Sequence, residues 1–234
     1  MSIGDLLVPP IAQPPEGSDL WVGVPPGFLS LPIDDPATKI GEIAATLNEF
    51  VPEERRGLFD AAIATVAFLL GELSARDVVY CGLGYHTAED NERISSSLIV
   101  SLQTYPARRD PRLVLADLVI AQRESGESGQ VELADLENGP AMFVEAVVDL
   151  PTPQLPGQEV PVGSTSPVYQ LQALVPAADG TRLAALEFST PMVGHGTQFR
   201  TMMALMASTV SFQPPPGAAE AGTVSRRIGD ILGG

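Results

Sequence analysis

Cys81 and His86 stand five residues apart in Cys81-Gly82-Leu83-Gly84-Tyr85-His86. A thiol beside an imidazole is the pairing in this chain that would give a thiolate nucleophile. The stretch reads as a strand, and an odd separation on a strand sends two side chains to opposite faces. A buried cysteine and a histidine at the sheet rim are therefore expected. A thiol- or histidine-dependent hydrolase is the least supported class. His195 lies between Gly194 and Gly196, just ahead of a helical pattern. Free N–H groups at a helix start can hold an anion, but no Gly-Lys-Ser/Thr follows, so this is not a phosphate loop. Glu89, Asp90, Asn91 and Glu92 offer the oxygen donors that Ca²⁺ takes, without the spacing of a calcium loop. A solvated hairpin tip is the expected role. No acid–base or nucleophile–base pair stands at a telling spacing. No catalytic residue, cofactor or metal is expected.

Residues suited to holding a partner are easier to find. Met192, Met202, Met203 and Met206 gather near the last helical pattern. Methionine fills cores and also recurs at adaptable docking faces. Met202, Met203 and Met206 are the docking candidates if their side of the helix is open. The two ends of the chain supply a second signal. Ser2-Ile3-Gly4-Asp5-Leu6-Leu7 matches Arg227-Ile228-Gly229-Asp230-Ile231-Leu232, with five of six positions identical or conservatively exchanged. The second copy hangs from a Pro/Gly/Ala spacer. A short apolar peptide on a tether suits a partner's groove, which makes Ile228, Gly229, Asp230, Ile231 and Leu232 candidate partner-binding residues. The motif is similar to the targeting peptides that load cargo into bacterial protein shells.

The bulk numbers restrict the partners. The 234 residues carry 13 Lys+Arg against 29 Asp+Glu, a net charge of −16. Such a surface repels nucleic acid and anionic membrane; neither is expected as a partner. Lys39 is the only lysine, and heavy use of Ala, Gly and Pro suggests GC-rich coding DNA and a bacterial source. Cys81 is the only cysteine, so no internal disulfide forms. Met1-Ser2-Ile3-Gly4-Asp5 opens without a basic, then apolar, export pattern. The longest apolar run, residues 61–70, is too short to span a bilayer. A cytoplasmic protein is expected.

Three segments follow from composition: a mobile arm over 1–19, an α+β domain over 20–212, and a Pro/Gly-rich tail over 213–234 ending in the apolar motif. Strands are expected at 20–24, 28–33, 77–86, 94–105, 131–136 and 141–150, with a final hairpin around Ala178-Asp179-Gly180. Asp34-Asp35-Pro36 and Asp110-Pro111 open helices. Ile40, Ile43, Ala44 and Leu47 share a face of the first helix. In the next, Phe59, Ile63, Val66, Leu70 and Leu73 recur at helical spacing; its middle is apolar nearly all round, so burial is expected. Residues 151–165 form a long loop within one sheet. Eight short strands and three or four helices in mixed order make one α+β domain, mostly antiparallel.

The layout resembles the Mog1/PsbP-like fold over about residues 20–212. The detail that carries the resemblance is Val22-Gly23-Val24-Pro25-Pro26-Gly27-Phe28 near the start. Near the end it is Ala185-Leu186-Glu187-Phe188-Ser189-Thr190-Pro191, followed by Phe199, Met202, Met203, Met206, Ala207, Thr209 and Phe212. That group acts as binding accessories to GTPases, photosystems or envelope machinery and shares no catalytic residues. The chain departs from it by lacking an export signal and by the paired helices at 36–76. The expected function is a non-enzymatic, protein-binding accessory. The alternative is cargo or an accessory subunit of a larger bacterial assembly, a protein shell or secretion apparatus, docked through its terminal peptide.

Overall fold

Turn residues and apolar–polar alternation place the strands, and Asp-Pro signals place the helices. The computed structural model describes residues 20–48, 50–88, 91–126, 129–152, 161 and 163–214. Both matching terminal motifs, including residues 228–232, lie outside them, as do Glu89, Asp90 and most of the loop at 151–165. The order is β1 (Phe28–Leu31), α1 (Pro36–Asn48), α2 (Arg56–Ser74), β2 (Val78–Thr87), β3 (Arg93–Thr104), α3 (Pro111–Glu124), β4 (Gln130–Leu136), β5 (Gly139–Pro151), β6 (Thr165–Pro176), β7 (Arg182–Thr190) and α4 (Arg200–Thr209). Short 3-10 segments, Glu53–Arg55 and Val193–Phe199, lead into α2 and α4. This is a single α+β domain. Its seven strands form one antiparallel sheet in the order β1-β2-β3-β7-β6-β5-β4.

The expected strand at 20–24 is not part of the sheet. Trp21 makes an isolated bridge with Ser211, and the Gly23 N–H donates to Thr209 Oγ1 at 2.8 Å. The prolines at 25 and 26 end the extended run there, so it ties down the end of α4 instead of adding an eighth strand. The Asp110 signal holds: its carboxylate accepts from the Arg112 N–H at 2.8 Å, with Pro111 first in the helix.

The period-two pattern sorts side chains between two faces. Leu98, Val100, Leu171, Ala173, Leu186 and Phe188 point to the face covered by α4, where Phe199, Met203, Met206 and Ala207 close the main core. Ile99, the residue that breaks the alternation of β3, points the other way. It packs with Cys81, Leu31 and Val78 against Ile40 and Leu70 of the α1–α2 hairpin. Farther along that second face, Met142, Val144 and Leu174 receive Leu115 of α3.

One expectation fails clearly. Leu70 is the buried residue of α2; Phe68 is 66% exposed and Leu69 55%. The hairpin joins β1 to β2, at the margin of the sheet, so the sheet reaches only its base and α1 covers only one side. The segment Glu53–Ser74, 22 residues, is long and apolar enough to cross a membrane by length and composition.

Candidate functional site

The two edges of the sheet differ. β1 has four residues and is flanked by Pro25, Pro26 and Pro32, which blunt it. β4 has seven residues, without proline or lysine, and pairs with β5 in unbroken register. Asp135 lies opposite Pro140. Proline has no N–H, so this cannot be a pair that exchanges two hydrogen bonds. By the antiparallel alternation, Gln130, Glu132, Ala134 and Leu136 bond inward to β5. Val131, Leu133 and Asp135 turn their N–H and C=O groups outward, where no described strand follows.

Above this edge lies a groove of about 510 Å³ between β4 and α4. Leu136, Phe143, Leu171 and Ala204 give it an apolar stretch; Gln130, Glu132, Glu145 and Arg200 give it a polar end. Glu145 interrupts the apolar face of β5, and a carboxylate so placed needs a partner. It finds one in Arg200, whose Nε and Nη2 both donate to it at 2.7 Å. The two-point geometry fixes the guanidinium, and a carboxylate at the start of α4 also suits the helix dipole. Behind the pair stands Tyr169, 2% exposed, its buried hydroxyl without a hydrogen bond of good geometry. Burial, then the nearby Glu145 carboxylate, push its pKa up to about 12. Its ring leans on the backbone of Gly196, where a Cβ would overlap it.

The methionines lie beside this groove but do not line it. Met203 and Met206 are 0% and 1% exposed and fill the core, while Met202 is partly buried against it. The sheet sits directly under α4, so the side that carries Met203 and Met206 is the inward side. The arginine and alanine side overhangs β4 instead. Sequence reasoning missed Glu145 and Arg200, which are 55 positions apart. The available signal was a lone charge in each of two apolar patterns.

The chemical candidates are kept apart. Cys81 packs under the α1–α2 hairpin, and burial pushes its thiol pKa up, away from the thiolate. His86 is on the other face, with Nε2 3.0 Å from Ser96 Oγ. Phe28 and Phe199 sit edge-on to its ring at 4.9 and 5.2 Å. Burial lowers its pKa, favouring the neutral ring. His195 meets Glu92 at 2.8 Å, so the anion beside the glycine-rich turn is the chain's own carboxylate. Among the described residues no three His, Cys, Asp or Glu side chains converge as a metal set. No protein-family model matches this chain, and no curated protein matches it in sequence.

Proposed function

We propose that the protein is a non-enzymatic binding accessory that takes an extended segment of another protein along β4, beside α4. The observation that supports this is the coincidence of a seven-residue, proline-free sheet edge with an adjoining groove. An added strand would bond the outward groups of Val131, Leu133 and Asp135, and alternate side chains would fall toward the groove. An apolar side chain suits Leu136, Phe143 and Leu171. A basic one suits the end where Glu132 and Glu145 outnumber Arg200. An acidic body favours such a ligand and disfavours nucleic acid.

The layout is also in keeping with the Mog1/PsbP-like resemblance, whose members serve as binding accessories. A second reading rests on the sequence: the tethered Ile228-Gly229-Asp230-Ile231-Leu232 makes the protein cargo or an accessory of a larger assembly.

The test is selection of peptides from a random display library on the immobilised full-length chain. Leu133→Pro removes an outward N–H without touching a β4–β5 bond, and Ala204→Trp fills the groove. Selected peptides should bind both variants at least tenfold more weakly. A library that yields no binder, or binders indifferent to both substitutions, would overturn the proposal.

A further inference from the structure

The α1–α2 hairpin has the composition of a core and the exposure of a surface. No described residue from 41 to 69 is buried. Yet Ile43, Leu47, Phe50, Leu58, Val66, Phe68 and Leu69 lie there, each more than a third exposed and Phe50 79%. Burial is confined to the base, at Ile33, Ile40 and Leu70. Two helices that pack mainly on each other are marginal in water, because helical stability comes mostly from burying an apolar face.

We propose that this hairpin is a dimerisation arm, and that two copies of the chain join their arms as an antiparallel four-helix bundle. Three observations favour a second copy. First, a hairpin of the same kind supplies the two helices needed to enclose a core. Two helices about 10 Å across, the longer roughly 28 Å long, present on the order of 500 Å² in projection. That is close to the roughly 600–1000 Å² per partner of a standard interface.

Second, the outer side of α2 is self-complementary in one orientation. Leu58, Ala62, Thr65, Leu69 and Glu72 recur at three- and four-residue steps. The bulk is uneven: Phe68 and Leu69 stand in the second half, Gly57, Ala61, Ala62 and Ala64 in the first. A two-fold axis through Thr65 sets Phe68 and Leu69 of each copy over Ala61 and Ala62 of the other. Third, the same axis brings Glu54 of each copy to Arg76 of the other, extending the Glu72–Arg76 pair at 3.8 Å.

A bilayer is the competing occupant, given the length and composition of Glu53–Ser74. Asp60 within the helix, and Glu53 and Glu54 at its start, weigh against it, because insertion would bury their charges.

The test uses the full chain. Light scattering after gel filtration should give twice the 24.6 kDa chain mass at micromolar concentration. Phe68→Glu with Leu69→Glu should give a monomer whose sheet still unfolds cooperatively in urea, because the core under α4 lies away from the arm. Thr65→Cys, which faces itself across the axis, should oxidise to a covalent dimer, while Ala45→Cys on α1 should not. Flotation with neutral phosphatidylcholine vesicles should leave the protein at the bottom of the gradient. A monomer at every concentration, a dimer untouched by the glutamates, equal cross-linking at both cysteines, or a monomer that floats with vesicles would each overturn the proposal. None of these results bears on peptide binding at β4.

Discussion

α4 and α2 are both apolar helices, and they end in opposite surroundings. α4 has ten residues and buries Met203, Met206 and Ala207. α2 has nineteen and buries Leu70. The difference lies in the strands beneath them. α4 follows β7, the middle strand of the sheet, and lies across β6 and β7. The α1–α2 hairpin is inserted between β1 and β2, at the margin. How apolar a helix is can be read from its residues; what covers it is decided by where the chain lays it.

The comparison breaks most readily by truncation. Met203→Ala or Met206→Ala should lower stability by about 2–5 kcal/mol, from lost burial and the cavity left behind. Phe68→Ala should change the stability of the dilute monomer by only about 0.5 kcal/mol. Urea unfolding checks both, and equal effects would dissolve the distinction. A smaller loss tests how α4 is fastened. The Asn138 amide in the β4–β5 turn donates to the carbonyls of Ala207 and Val210, both at 2.9 Å. Asn138→Ala removes a donor from both carbonyls, of which Ala207 keeps the Val210 N–H at 3.2 Å, at about 1–3 kcal/mol.

A further effect appears at alkaline pH. Tyr80 and Tyr169 have pKa values raised from 10.0 to about 12, chiefly by burial. A folded pKa above the unfolded one gives stability that is complete below pH 10 and lost as pH rises toward 12. The melting temperature should therefore fall over that window, and fall less in Tyr169→Phe. Tyrosinate absorbance that rises in one step near pH 10 for all four tyrosines would contradict this burial.

Much of the fold was legible because it is written locally. Asp110-Pro111 marks a helix start, Ser97-Leu98-Ile99-Val100-Ser101 a strand with both faces in use, and Asp179-Gly180 a hairpin. The order of the strands across the sheet is not local. β3 pairs with β7, joining Ser97 to Ser189, and no spacing announces that. The groove depends on the same long-range order, since β4, β5, β6 and α4 each supply part of it. The methionines could be seen as apolar and helical, but which side of α4 faced the sheet was decided by the pairing of β6 with β7. Glu145 and Arg200 became visible as a pair once that pairing was in place.

Strand addition at β4 is tested most directly by amide hydrogen exchange, residue by residue, with and without a peptide selected on the full-length protein. The amides of Val131, Leu133 and Asp135 should slow on binding. Those of Gln130, Glu132, Ala134 and Leu136, already bonded to β5, should stay as they were. Uniform slowing along β4, or no change there while the peptide is bound, would contradict the account.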